Sequence, residues 1–541
     1  KNNTVILDKE KLTAHTFITG STGVGKSTAI YKMLQEITEP IVEENSVKSN
    51  SETTFLVIEP TKGEYKDIFG GWKDVNVFGT NDKWSELLTI NPFAFPQETI
   101  HVLEHIDRLV EIFNACWPMY AAMPAILKDA IIQSYRAVGW NLDDSTSETG
   151  KFPNFRILLD ILPRVITKSN YSKDTNSDYV GALVTRVNSL TTGLNVRILN
   201  SAYDISDEVL FNQNTIIDIS RIGSDESKAL LMGLIILKLQ EWRMNERLQK
   251  KETGNSGLKH CTVFEEAHLL LRRTSMDQSQ EGANLQGKSV EMLTNAIAEM
   301  RTYGEAFIIA DQAPALLDEA VIRNTNTKIV LRLPDENDRK IVGGALALNE
   351  EQMKHLSKLP NHVAAVYQSD WIEPVLCEIE AFNFEEFKKE LNYTSEESKS
   401  GYSLSDLLSE LKDSDNRELK RNEILEMIRK VKRPSLVLKS IEEKKIDDIS
   451  ARSLLNYIVG GELITHRVFS IMQDPDDMAR ENLRILAERI KSEFGLKDME
   501  LSYQIIGICF DATVGKIGEI SSQERNCLRE VSMKMYRLGR R

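Results

Sequence analysis

Apolar positions along this 541-residue chain follow two rhythms. Short, mainly apolar runs occur at Thr16 to Thr19, Thr54 to Ile58, Thr215 to Ser220, Cys261 to Phe264, Ala306 to Ala310, Lys328 to Leu331 and Val363 to Tyr367. Each has the length and composition of a buried strand. Between them the spacing turns helical, as in Lys26 to Ile37, where Ile30, Met33, Leu34 and Ile37 share one face. Strands alternating with helices predict an α/β fold around a largely parallel central sheet with both faces covered. From His101 to about Arg197 the pattern is helical, with Val102, Ile106, Leu109, Val110 and Phe113 on one face. Polar loops at Asp143 to Lys151 and Lys168 to Asp178 interrupt it, so this region reads as a helical insertion. Trp117, Tyr135 and Trp140 within it are expected in the core.

Shorter features complete the layout. Thr4 to Leu7 reads as an edge strand, and Glu43 to Glu52 as a polar loop. The Ser/Glu-rich stretch Tyr393 to Tyr402 reads as a linker. Beyond it the chain is mainly helical, with a β-type run at Leu501 to Cys509. The expected division is 1–100, 101–210, 211–392 and 393–541: the first part of a nucleotide-binding core, the insertion, the second part of the core and a mainly helical C-terminal region.

Composition narrows the class. Apolar content of 41% and charged content of 27% are those of a globular protein. No run of about 18 apolar residues is present, so no membrane span is expected. The start, Lys1-Asn2-Asn3-Thr4, has no apolar core of a signal peptide. Five scattered cysteines lack metal-ligand spacing and suit a reduced, cytoplasmic setting. The net charge of −14 excludes a surface that is basic all over. It leaves room for a local basic channel.

The sharpest chemical signal is Gly20-Ser21-Thr22-Gly23-Val24-Gly25-Lys26-Ser27, which fits the phosphate-loop pattern at every required position. Strand before and helix after are both in place. Glycines let backbone N–H groups wrap an anion, and the helix N-terminus adds a favourable dipole. Lys26 is placed for the β- and γ-phosphates of ATP and Ser27 for Mg²⁺, with Thr28 beside them at the start of the helix. A second element, His260-Cys261-Thr262-Val263-Phe264-Glu265-Glu266-Ala267-His268, is an apolar strand ending in two acids. Glu265 suits the Mg²⁺ shell, through water given its length, although the first acid of such a pair is usually Asp. Glu266 suits the attacking water. His268 reads as a polar neighbour or a packing residue. A third element, Ala306 to Gln312, ends in Asp311-Gln312. Gln312 either meets the γ-phosphate and lytic water or caps the strand. Arg301, at a helix end, either stabilises transition-state charge in a neighbouring subunit or is a helix-terminal charge.

Taken together, the phosphate loop, Ile58-Glu59-Pro60-Thr61-Lys62-Gly63-Glu64-Tyr65, Leu88-Thr89-Ile90-Asn91-Pro92-Phe93, Glu265-Glu266-Ala267-His268, Glu299-Met300-Arg301-Thr302-Tyr303-Gly304 and Ala310-Asp311-Gln312 resemble the HerA-type ATPases of the HerA/FtsK group. The resemblance runs from about Asn3 to Glu380. It implies a RecA-like P-loop NTPase core and a hexameric ring that hydrolyses ATP between subunits and moves or remodels double-stranded DNA, often beside a nuclease. It implies Glu59 as an acid near the nucleotide, Glu266 as catalytic glutamate, Arg301 as arginine finger and Gln312 as sensor. It also implies Arg332 as a further phosphate-side arginine. The family's N-terminal β-barrel is not visible in this sequence.

DNA contacts are expected from Arg272, Arg273 and Lys288, which bracket the polar insertion Thr274 to Gly287. The cluster Arg429 to Arg433 and the tail Lys534, Arg537, Arg540 and Arg541 read as solvated basic ends. Three functions fit these residues: a DNA translocase with a nuclease or other effector in DNA processing or anti-phage defence, a secretion-type motor for protein or nucleoprotein, and an ATP-controlled assembly switch.

Overall fold

The computed structural model describes residues 4–38, 42–43, 46–47, 53–70, 75–81, 85–117, 119–120, 122–147, 149–168, 172–200, 204–273, 282–380, 382, 404–414, 417–430, 449–461, 464–465, 468, 471, 475–494 and 496–516. Contacts divide the chain into two compact units, residues 1–200 with 205–393, and residues 201–204 with 394–541.

The first unit is built on a ten-stranded sheet. In chain order its strands are β1 (Thr16–Thr19), β2 (Thr54–Glu59), β3 (Val75–Gly79), β4 (Glu86–Leu87), β5 (Asn214–Asp218), β6 (His260–Glu265), β7 (Glu305–Asp311), β8 (Thr327–Val330), β9 (Val363–Tyr367) and β10 (Val375–Glu378). Across the sheet they lie β10-β9-β8-β1-β7-β6-β2-β5-β3-β4. Every pairing from β8 to β4 is parallel. Only β8–β9 and β9–β10 are antiparallel. Both faces of the central strands are covered, so β1 and β7 are buried at every position. That is why their sequences are continuous apolar runs rather than alternating ones. Thr4 to Leu7 forms no strand. The edge beyond β9 is taken by β10, and Asp8 is tied instead to the Gln368 side chain through its N–H, 2.9 Å.

Parallel register puts one end of every central strand on the same edge. Thr19 lies opposite Asp311, Ala310 opposite Glu265, and Glu59 opposite Asp218. Four neighbouring strands therefore end in carboxylates: Asp311, Glu265, Glu59 and Asp218. In such sheets ligands bind beyond the carboxyl ends of the strands.

Helices cover the faces. α1 (Lys26–Thr38) buries Ile30, Leu34 and Ile37, which share a core with Phe55, Val57, Val263 and Ile308. α2 is the short helix Tyr65–Phe69. The helical region holds α3 (Val102–Cys116), α4 (Met123–Ala137) and α5 (Phe155–Lys168). Trp117, Tyr135 and Trp140 are buried there as expected. α6 (Asp225–Lys250) starts at Ser224, whose side chain accepts from Ser227 N–H. It packs tightly on α3: a Cβ on Gly233 would lie 2.8 Å from Ile112 Cγ2. α7 (Gly282–Glu299) begins inside the polar insertion Thr274 to Gly287, taking its last six residues. Lys288 sits on it, exposed.

A buried polar network ties α6 to the opposite edge of the sheet from the carboxylate row. Arg243 donates to Glu305 at 2.9 Å, Asn212 at 2.6 Å and the Phe211 carbonyl at 2.5 Å. Glu305 also meets His260 Nδ1 at 2.8 Å and takes the Thr262 hydroxyl at 2.7 Å. Burial opposes the Glu305 charge, yet His260 and Arg243 hold its pKa down to about 2.

The second unit contains α8 (Leu404–Asp413), α9 (Arg421–Lys430), α10 (Ala451–Ile458), α11 (Asp476–Glu493) and α12 (Met499–Lys516) around Leu411, Ile424, Leu455 and Phe510. The predicted β-type run Leu501 to Cys509 lies inside α12. Apolar residues on nearly every side of that helix leave no period to tell it from a buried strand. The linker Tyr393 to Tyr402, residues 431–433 and the tail from Lys534 lie outside the described residues. Among those described, no helix is long and apolar enough to cross a membrane.

Candidate active site

The loop from β1 to α1 spans residues 20–25 and lies at the carboxylate edge. Gly23 and Gly25 have φ of 76° and 111°, a region side chains rarely adopt. Gly25 is also constrained by space, since a Cβ there would lie 2.7 Å from His362 Nδ1. Backbone bonds fix the loop to its neighbours: Ser21 N–H donates to the Arg332 carbonyl at 3.0 Å and His362 N–H to the Val24 carbonyl at 2.9 Å. The Lys26 ammonium folds back over the loop, donating to the carbonyls of Gly20 at 2.6 Å and Ser21 at 3.2 Å. Burial lowers its pKa, against the pull of Glu266 and Glu265.

The loop forms one wall of a cleft of about 500 Å³, which Thr22, Ser27, Thr28, Glu265, Glu266 and Gln312 also line. Glu265 ends β6 and accepts the Tyr65 hydroxyl at 2.8 Å. Burial raises its pKa. Glu266, one residue on, has left-handed backbone angles, φ 47° and ψ 48°. Its Oε1 accepts from the Gln312 amide at 2.6 Å, and Gln312 Oε1 accepts the Thr22 hydroxyl at 2.6 Å. One hydrogen-bonded chain thus runs from the phosphate loop to the second acid of β6. Beside it His268 Nδ1 lies 2.9 Å from Asp311 Oδ2. That bond raises the His268 pKa, against burial.

Three expected residues sit elsewhere. The Glu59 carboxylate is buried and does not line the cleft, accepting from the N–H groups of Glu64 at 2.6 Å and Tyr65 at 3.3 Å. Burial pushes its pKa up to about 8. It holds the start of α2, and through Tyr65 it reaches Glu265. Arg332 meets the loop by its carbonyl, and its side chain is not among those lining the cleft. Arg301 is exposed in the turn Met300–Tyr303, before β7 begins. The length of β7 therefore separates it from its own chain's cleft, about 20 Å at roughly 3.3 Å per residue.

Sequence reasoning missed Tyr65, His362 and Asp311 as parts of this site. Tyr65 and Asp311 stand within segments already singled out for their neighbours. His362 carries no signal at all, being a lone histidine before β9.

Oxygen donors suit a hard cation. Ser27 and Glu265 would hold Mg²⁺, which supplies charge neutralisation to a polyphosphate.

A mostly parallel sheet, a glycine cradle between its strand and helix, and two acids across a cleft from a lysine define a P-loop NTPase. Residues 1–239 match the family model described as Helicase HerA, central domain. Over this part the chain is similar to that domain. The DNA double-strand break repair helicase HerA of Sulfurisphaera tokodaii is 24% identical over 234 residues, 42% of this chain and 43% of that protein. Its counterpart from Sulfolobus acidocaldarius is 24% identical over 196 residues, 36% and 37% of the two chains. The chain thus spans less than half the length of these curated relatives. Among solved structures, VirB4 of Thermoanaerobacter pseudethanolicus is similar with a TM-score of 0.49 and 17% identity, covering 69% of this chain and 91% of that one.

Proposed function

We propose that this chain hydrolyses ATP as part of a ring-shaped motor, hexameric by its resemblance, that translocates or remodels double-stranded DNA. A nuclease or other effector is the natural companion, in DNA processing or anti-phage defence. The observation that carries this reading is the convergence of Lys26, Ser27, Glu265, Glu266 and Gln312 on one cleft. Lys26 faces the β- and γ-phosphates. Glu266 accepts a proton from water as its oxygen attacks the γ-phosphorus, and the bond to the ADP oxygen breaks. Gln312 orients that water through the bond it already makes to Glu266. Arg301 lies too far from its own cleft to join this step, which supports a finger offered to an adjacent copy.

DNA contact falls to exposed Arg272, Arg273 and Lys288 around a channel. Arg273 is paired with Glu319 at 3.0 Å, so part of its charge is already engaged. Phosphate contacts of this kind weaken steeply with salt and read no sequence.

The test is steady-state hydrolysis and nucleotide binding, with and without duplex DNA. Lys26→Ala should lose nucleotide binding or turnover. Glu266→Gln should bind ATP and turn over at least about 100-fold more slowly. Replacing Arg272, Arg273 and Lys288 with Glu should remove DNA stimulation and keep basal hydrolysis. Normal turnover in Glu266→Gln would remove its assigned role. Absence of both DNA binding and stimulation at low salt would turn the reading toward a secretion-type motor or an assembly switch.

A further inference from the structure

The Glu266 carboxylate is held from two sides. Gln312 donates to its Oε1, while Oε2 faces His268 Nδ1 at 3.6 Å. Behind His268 stands Asp311, the last residue of β7 and 1% exposed. Both Asp311 oxygens are engaged. Oδ2 accepts from His268 backbone N–H at 2.8 Å and lies 2.9 Å from its ring Nδ1. Oδ1 accepts from Ala313 N–H at 2.9 Å. One carboxylate therefore ties together the turn after β6, which carries Glu266, and the turn after β7, which carries Gln312.

We propose that Asp311 and His268 are positioning residues that act as a pair to aim the Glu266 carboxylate at the attacking water. This rests on the reading of Glu266 as the residue that takes the water's proton. Glu266 has a left-handed backbone, which a non-glycine residue keeps only where its surroundings over-determine it. The two bonds from Asp311 to His268, two residues along, supply that constraint. The imidazole N–H then stands between two carboxylates. It is bonded to the buried one and sits just beyond hydrogen-bond reach of the one lining the cleft. Small movements of His268 would shift Glu266 directly, as outer partners do for the groups they orient. Neither Asp311 nor His268 lines the cleft, so their loss should spare nucleotide binding.

The experiment uses the full chain with duplex DNA. It compares kcat, KM and affinity for a non-hydrolysable ATP analogue in His268→Ala, His268→Asn, Asp311→Asn, Glu266→Gln and the double variant Glu266→Gln/His268→Ala. His268→Ala should lower kcat by about 10- to 100-fold with analogue affinity nearly unchanged. His268→Asn places an amide N–H near the Nδ1 position and should recover most of that loss. In the double variant the His268 change should add nothing, because its effect passes through Glu266. The proposal is overturned if His268→Ala keeps kcat within about twofold. It is equally overturned if the loss is as large without Glu266, or if analogue binding falls as much as kcat. Should Asp311→Asn fail to fold, the His268 series decides alone. Normal turnover in Glu266→Gln is a separate result: it removes the parent reading and this one together, whereas an inert Glu266→Gln beside an unaffected His268→Ala removes only this one.

Discussion

His15 shows how much a single residue can carry outside the cleft. It precedes β1 with φ 64°, is 1% exposed, and its Nδ1 accepts from Phe307 N–H at 3.1 Å. A ring nitrogen that accepts must be unprotonated, and burial pushes the His15 pKa down to about 4. The unfolded chain titrates near the ordinary value of about 6.5. Between these values the unfolded state takes up a proton that the folded state refuses. The stability His15 contributes is therefore complete above about pH 6.5 and is lost as pH falls toward 4. Burial lowers the pKa of His260 as well, which adds a loss of the same sign. His15→Asn keeps a side chain tolerant of left-handed backbone and an oxygen able to accept from Phe307. Its thermal midpoint should fall less than that of the unchanged protein between about pH 7 and about pH 5. Parallel slopes for the two proteins would show that His15 is not the group responsible.

At the scale of elements, the join between α6 and the sheet is the most vulnerable point. Arg243 and Glu305 are both nearly inaccessible. The guanidinium's desolvation is offset by two carboxylates, Glu305 at 2.9 Å and Glu246 at 2.6 Å. Glu305→Gln removes the more buried of the two carboxylates paired with the Arg243 guanidinium, leaving Glu246, and should destabilise the first unit by about 1.5–3 kcal/mol. The urea midpoint of unfolding measures this, and a shift worth less than about 1 kcal/mol would mean that the Glu246 pair alone compensates Arg243. The same scale shows what the sequence makes legible. The central strands are readable because burial on both faces demands continuous apolar runs, and α1 because it is half-exposed and keeps a period. The α12 segment is apolar on nearly all sides and carries no period. The first six residues of α7 hold two glycines and two polar amides, so they read with the preceding insertion rather than with the helix they begin. Thr4 to Leu7 has a strand-like composition, but β10 already holds the edge.

For the whole molecule, Arg301 supplies the decisive prediction. It stands at the end of β7 remote from its own phosphate loop, so any role at a γ-phosphate belongs to an adjacent copy. Chains carrying Arg301→Ala and chains carrying Lys26→Ala should each be nearly inactive alone. Mixed assemblies should regain hydrolysis where an intact Lys26 meets an intact Arg301. No gain, with mixing verified by mass, would place Arg301 outside the chemistry. The difference between what was legible and what was not also follows from scale here. The phosphate loop is contiguous in sequence and announces itself. The carboxylate row draws on positions 59, 218, 265 and 311, which only the strand order brings side by side. His362 meets Gly25 across more than 300 intervening residues.

That strand order also sets a timetable for synthesis. β1 is made before the other strands of its sheet, yet its two neighbours are residues 308–311 and 327–330. At roughly 5–20 residues per second, a ribosome delivers β7 about 15–60 s after β1 has left the peptidyl-transfer centre. Throughout that interval the glycine loop has its full sequence and neither flanking strand. A nascent chain halted before β7 would then carry the whole phosphate-binding motif and bind no ATP. Nucleotide cannot guide the strands made before β7; it can only reward a unit whose translation has passed β8.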